Sequence, residues 1–188
     1  FVKGYHIANN ICITSKAFNM LNNKVFGGNL AIKLNIRKTF DIVDWNCLLL
    51  TLKTFGFNDV FCGWIKTILH SVRLSFGVNG SSMGYIACKR GVHQGDPFSP
   101  LLFYLAKDVL SCGISFLVDQ GLLFPMVRSR GFLTPFHVFY TDNVMVFYKG
   151  TTLNLNHLKS LLLLHGEDSG QFINLVECRF YYGFVSIG

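Results

Sequence analysis

The stretch His137 to Lys149, HVFYTDNVMVFYK, constrains the fold most. Its two apolar arms predict two β-strands, and Thr141-Asp142-Asn143 between them predicts the tip of a hairpin. Asp and Asn suit a tip because their short polar side chains bond to nearby backbone and tolerate turn conformations. A carboxylate at a strand tip is also where a metal ligand can stand. Taken alone, the stretch allows both readings.

The rest of the chain supplies partners for such a hairpin. Residues 11–26 place Ile13, Ala17, Met20, Leu21 and Val25 at helical intervals, and NLAIKLNI after Gly27-Gly28 alternates like a strand. Asp44 is placed to cap a helix through WNCLLLTLKTF that Gly56 ends, and Asn58 to cap a second through DVFCGWIKTILHSV. RLSFGV, Asn79-Gly80 and GYIAC predict a second hairpin, since Asn-Gly accepts the positive φ of a tight turn. After the loop KRGVHQGDPFSP comes the apolar helix LLFYLAKDVLSCGISFLV. Thr152 is placed to cap LNLNHLKSLLLLHG, with Leu155, Leu158, Leu161 and Leu162 on one face, and QFINL and CRFYY predict short closing strands. This order predicts an α+β domain with helices packed on one face of an antiparallel sheet.

The length of 188 residues fits a single domain. An apolar fraction of 51% argues against disorder and raises the expectation of exposed apolar surface. The net charge of +7 favours anionic partners, nucleic acid ahead of a membrane surface because no basic amphipathic helix is evident. Apolar runs such as CLLLTL and LLLL fall short of the roughly 20 residues that span a bilayer. The six cysteines form no C-x-x-C pair, which excludes the usual zinc spacing and a dense disulfide framework and predicts reduced, mostly buried thiols. With nothing like a signal peptide at the start, a cytoplasmic or nuclear location is expected rather than secretion.

Chemistry can sit where strand ends meet. Asn35 and Asp41 follow AIKL, and if that strand neighbours the HVFYTDNVMVFYK hairpin, Asn35 and Asp142-Asn143 converge. In order, KLNIRKTFDIVDW, TLKTFGFNDVFCGWIKTIL, VNGSSMGYIACKRGVHQGDPFSPLLFYL, HVFYTDNVMVFYKG and SGQFINLVECRF resemble the reverse transcriptase domain of plant non-LTR, LINE-type retrotransposons. The resemblance runs from FVKGYHIANNI to NLVECRFY. It implies a polymerase palm over about 29–188, with partial fingers over about 1–28 and no thumb. It also implies RNA-directed DNA synthesis, with Mg²⁺ as cofactor and an RNA template, a DNA primer and deoxynucleotide triphosphates as partners. A primer 3′-hydroxyl would attack the α-phosphate of the nucleotide while two ions stabilise the developing charge.

Transferred position by position, the resemblance also exposes departures. The family's K-L-D-I-x-K-A-F-D has a metal-binding aspartate where this chain has Asn35, and its F-A-D-D or Y-A-D-D keeps the first aspartate as Asp142 but has Asn143 for the second. Asp142 is then the one catalytic and metal-binding carboxylate retained from the triad. In G-L-x-x-N-x-x-K the lysine that protonates pyrophosphate corresponds to Glu177, which has the opposite charge. Phe40 matches the aromatic that lies against the sugar of the incoming nucleotide, the alternative being a core phenylalanine. Arg90, Gln94 and Gly95 match residues beside the nascent base pair, while His93 replaces an arginine and Gly4-Tyr5 stands where Gly-Arg is usual.

Each Asp to Asn exchange removes a unit charge worth roughly 4 kcal/mol at about 4 Å and an effective dielectric near 20. Metal binding weakened by orders of magnitude is therefore expected. Asn35, Asn143, Thr39 and Thr141 each differ from the family residue by a single G-to-A change. That pattern suggests a degenerate fragment of a retroelement with impaired catalysis. The alternatives are a basic nucleic-acid-binding remnant without catalysis and a pseudogene product without function.

Overall fold

The HVFYTDNVMVFYK hairpin forms and becomes half of a larger sheet. In this computed structural model residues 7–23, 25–26, 28–37, 40–93, 95–126, 135–140, 142–183 and 185–186 are described. Along the chain come α1 (Ile7–Met20), β1 (Val25–Phe26), β2 (Asn29–Asn35), α2 (Trp45–Thr54), α3 (Asp59–Ser71), β3 (Arg73–Val78) and β4 (Ser81–Ala87). Then follow α4 (Ser99–Asp119), β5 (His137–Tyr140), β6 (Asn143–Lys149), α5 (Thr152–Ser169), β7 (Arg179–Tyr182) and β8 (Val185–Ser186). Two compact units result: Phe1–Arg37 with Ser111–Leu164 and Phe172–Gly188, and Lys38–Leu110 with His165–Gln171.

The first unit holds an antiparallel sheet of order β5-β6-β2-β7. Its two central strands are β6 and β2, paired from Asn29↔Lys149 to Asn35↔Asn143. From Val144 to Tyr148 every residue of β6 is buried, which explains the nearly unbroken apolar run: both faces of this strand are covered. On one face Ala31, Val138, Met145 and Phe147 pack with Ala17, Met20 and Leu21 at the end of α1, and the Phe18 ring meets Phe147 and Tyr181 edge-on. On the other, Ser111 of α4 hydrogen-bonds His137 of β5 at 2.7 Å. Asn154 fastens α5 to the end of β6 by donating to the Lys149 carbonyl at 2.8 Å. The class is α+β, as the element order predicts, but helices lie on both faces of the sheet and not on one, with α1 against the Met145 and Phe147 face and α4 against the other.

The second unit is built on two capped helices. The Asp44 carboxylate accepts from the Cys47 amide at 2.9 Å and the Asn58 side chain from the Phe61 amide at 2.8 Å, as expected of N-caps. Leu48 and Leu52 of α2 and Cys62, Ile65 and Leu69 of α3 face one another, with Val43, Trp45, Val92, Leu102, Phe103 and Ala106 completing the core. The β3–β4 hairpin turns at Asn79 (φ 50°) and Gly80 (φ 79°), in the left-handed region that the Asn-Gly pair predicts.

Several expectations need correction. The first helix stops at Met20, and Val25–Phe26 instead pair in parallel with Val185–Ser186, strands of two residues that carry no readable periodicity. The cap of α5 is Thr151, whose hydroxyl accepts from the Asn154 amide at 3.3 Å, one residue before Thr152. Leu155 is 39% exposed and does not share the buried face of Leu158. QFINL is not a strand: Ile173 makes one isolated bridge to Ile36. All six cysteines are free, but Cys12 and Cys112 are exposed and only Cys62 is buried. A polar helix face can carry a small thiol, so cysteine type alone misjudged burial.

Helix α4 is long and apolar enough, by length and composition, to cross a membrane. The separate apolar runs of the sequence understate it. Its buried residues Leu102, Phe103, Ala106, Leu110, Ile114 and Leu117 form a stripe at helical spacing, as in a core helix, and Lys107 and Asp108 stand at its middle.

His165, near the end of α5, is 6% exposed and its Nε2 lies 3.3 Å from Gln171 Oε1. Burial lowers its pKa below the ordinary 6.5, with the Gln171 bond and Asp168 opposing. The unfolded chain therefore takes up this proton first, so the stability is fully present above about pH 6.5 and declines as pH falls. Urea midpoints are expected to drop on acidification with a contribution of at most about 1.4 kcal/mol per pH unit from this group. His165→Gln should flatten that part of the profile; an unchanged profile would assign it elsewhere.

Candidate functional site

Pairing of β2 with β6 brings Asn35 opposite Asn143, so the two strand ends meet at the hairpin tip. The tip is closed from β2 by the Ile36 amide, which donates to the Asp142 carbonyl at 2.9 Å. Side chains complete the cluster. Asn35 Nδ2 donates to Asp142 Oδ2 at 3.1 Å, Asn143 Nδ2 donates to Asp142 Oδ1 at 2.8 Å, and Asn35 Nδ2 also reaches Asn143 Oδ1 at 3.5 Å. Asn35 is buried and the other two are half-buried. Asn35, Asp142 and Asn143 are thus brought together as the sequence reading requires.

A pair of hard dications wants several oxygen ligands, most of them anionic. This cluster offers one carboxylate, and both of its oxygens already accept amide N–H groups. The amide nitrogens that face Asp142 are donors, which repel a cation, and the amide oxygens are neutral ligands that bring no charge to balance one. Among the described residues no group of three or more His, Cys, Asp or Glu is placed to hold a metal ion. The donor set present does not fit two Mg²⁺ ions.

Glu177 lies on the loop that follows the bridge at Ile173. Asn174 ties that loop to the cluster: its amide donates to the Asn35 carbonyl at 2.8 Å, and its Nδ2 donates to Glu177 Oε1 at 3.0 Å. The exposed Glu177 carboxylate is thereby held in its own turn. Asn174 is a connection that sequence reasoning missed, although it stands at the asparagine of the G-L-x-x-N-x-x-K pattern, three residues before Glu177.

Phe40, Arg90 and Gly95 belong to the second unit. Phe40 is half-buried and stacks on Phe103 with centroids 4.1 Å apart, so the core-phenylalanine alternative is realised in part. The backbone before α2 runs beside the loop that carries Arg90: Gly91 N donates to the Val43 carbonyl at 2.8 Å and Val92 N to the Phe40 carbonyl at 2.7 Å. Trp45 Nε1 donates to the Gly91 carbonyl at 2.7 Å and locks the loop from below. A Cβ on Gly91 would lie 2.5 Å from the Asp41 carbonyl oxygen, so only glycine permits this approach. Arg90 and Gly95 are exposed, and Asp96 shapes the turn into α4 by accepting from the Phe98 amide at 2.7 Å. Gln94, with Tyr5, Thr39 and Thr141, lies outside the described residues.

With this geometry in hand, comparison with known proteins identifies the architecture. The fold is similar to that of apo telomerase from Candida tropicalis, with a TM-score of 0.68 at 15% identity over 98% of this chain and 36% of the telomerase chain. The arrangement is palm-like. In sequence the chain is 34% identical over 79 residues to a retrovirus-related Pol polyprotein of the type-1 retrotransposable element R2 of Popillia japonica, covering 42% of this chain and 13% of that protein. It is 36% identical over 81 residues to a 149 kDa protein of transposon TX1 of Xenopus laevis, covering 43% of this chain and 6% of that protein. The chain thus spans a small part of the length of these relatives. Residues 6–182 match the family described as reverse transcriptase (RNA-dependent DNA polymerase). The chain belongs to the reverse transcriptase family, and within it is similar to the proteins of non-LTR retrotransposons.

Proposed function

We propose that this chain is the palm-centred part of an RNA-directed DNA polymerase from a plant LINE-type retrotransposon, degenerate and impaired in catalysis. The observation that carries the impairment is the hydrogen-bonded Asn35–Asp142–Asn143 cluster, which has one carboxylate where the parent chemistry calls for three. Glu177, an acid hydrogen-bonded to Asn174, stands where a proton donor to pyrophosphate is required. The partners of the parent reaction are an RNA template, a DNA primer and deoxynucleotide triphosphates, with Mg²⁺ as cofactor. Phe40, Arg90, Gln94 and Gly95 are the residues proposed to lie beside the incoming nucleotide and nascent pair. The site of action would be cytoplasmic or nuclear.

Primer extension on an RNA template with Mg²⁺ tests this, comparing the chain with the variant Asn35→Asp, Asn143→Asp, Glu177→Lys. No extension is expected from the unsubstituted chain, and extension is expected to be gained by the variant. Product from the unsubstituted chain would overturn the impairment.

A second reading is a nucleic-acid-binding remnant without catalysis, favoured by the net charge of +7 and by exposed Arg73, Lys89 and Arg90 around the β3–β4 hairpin. Binding to a primer–template duplex is then expected to weaken as a steep power of salt concentration, because phosphate contacts release counterions. Affinity independent of salt would exclude it.

A further inference from the structure

We infer that the Asn35–Asp142–Asn143 cluster is an ion-free clamp: the two amides do by hydrogen bonding what a cation does in a site of three carboxylates, and the strand tip holds together without any divalent ion. The inference rests on the reading above in taking positions 35 and 143 as former carboxylates, and it goes further by giving their amides a structural role.

Asp142 stands at the end of the two central strands, half-buried, where an unpaired charge is costly. Each of its oxygens receives an amide N–H, at 3.1 Å from Asn35 and 2.8 Å from Asn143, and hydrogen bonds to an ionised acceptor are the stronger kind. Asn35 also reaches Asn143 directly, so each residue of the cluster bonds to both others. Backbone bonds extend the connection on both sides, from Ile36 to the Asp142 carbonyl and from Asn174 to the Asn35 carbonyl. The cluster therefore links β6, β2 and the loop before β7.

Charge explains why the exchange matters. Three carboxylates in the same positions would face one another at hydrogen-bond distances with no donor between them, and such groups repel unless a cation intervenes or one takes a proton. Amides of nearly the same shape convert repulsion into donation. A tip that needed an ion would become one that needs none.

The test is thermal unfolding of the full chain in EDTA and in millimolar Mg²⁺. The unsubstituted chain is expected to show the same Tm in both. The Asn35→Asp, Asn143→Asp variant is expected to lose about 5 °C or more in EDTA and to recover it in Mg²⁺. Asp142→Ala, which strands both amides, is expected to lower Tm equally in both solutions. Should the double variant fold in neither solution, Asp142→Ala decides the matter alone. The clamp is overturned if Mg²⁺ raises the Tm of the unsubstituted chain, if the double variant is as stable in EDTA as the parent, or if Asp142→Ala leaves Tm unchanged. Failure of the impairment proposed above is separate, since it shows as primer extension by the unsubstituted chain and not as a change of Tm.

Discussion

Gly91→Ala is expected to destabilise the chain by about 3 kcal/mol or more, because backbone strain and steric exclusion act at one position. At φ 84° an alanine occupies a region that costs it of order 1–2 kcal/mol before any contact is considered. Its Cβ would then meet three backbone atoms of Asp41, at 2.5 Å from O, 2.8 Å from C and 3.0 Å from Cα. Backbone cannot swing aside as a side chain can, so the loop must separate from the segment before α2. Separation strains three hydrogen bonds at once, Gly91 to Val43, Val92 to Phe40 and Trp45 to Gly91. Gly95→Ala is the matched control, with φ 104° but open space around the added Cβ, and should cost only the conformational strain. Urea unfolding of the two variants separates the effects, and equal losses would show that the close approach to Asp41 carries no weight.

The other large effect concerns divalent ions. Asn35→Asp with Asn143→Asp adds two negative charges next to Asp142 and removes both N–H donors from its carboxylate. One unit of charge interaction at about 4 Å and an effective dielectric near 20 is roughly 4 kcal/mol, and each 1.4 kcal/mol is about tenfold in affinity. Repulsion among the three acids and desolvation of the ion subtract from that gain. A net increase in Mg²⁺ affinity of at least about two orders of magnitude is expected, read by isothermal titration calorimetry. A gain below tenfold would mean that the amides are not what keeps ions away. Glu177→Lys should leave this affinity nearly unchanged, since its carboxylate is exposed and bonded to Asn174.

Much of this was legible in the sequence because it is local. Asp44 and Asn58 cap helices through bonds to amides three residues on, Asn79-Gly80 turns a hairpin by its own backbone preference, and the apolar arms of β5 and β6 reveal strands without knowledge of their neighbours. The meeting of Asn35 with Asp142 and Asn143 followed from placing two strands side by side, and the register Asn35↔Asn143 realises it. What stayed hidden depends on partners far along the chain. Nothing near Trp45 announces that its indole binds the carbonyl of Gly91, and nothing near Gly91 announces the Asp41 backbone against it. The β1–β8 pair is two residues deep, too short for any period. The hydrogen bonds from Asn35 and Asn143 to Asp142 were equally out of reach: the sequence reading registered two missing charges, and the geometry adds two donors.

Asp142, surrounded by amides, is expected to hold no divalent ion. Titrating the unsubstituted chain with Mn²⁺ and following free ion by electron paramagnetic resonance measures this directly, with Asp142→Ala as the reference. Matching curves for the two proteins, with no saturable site that depends on Asp142, are the expected result. A saturable Mn²⁺ site in the unsubstituted chain that disappears in Asp142→Ala would contradict the claim.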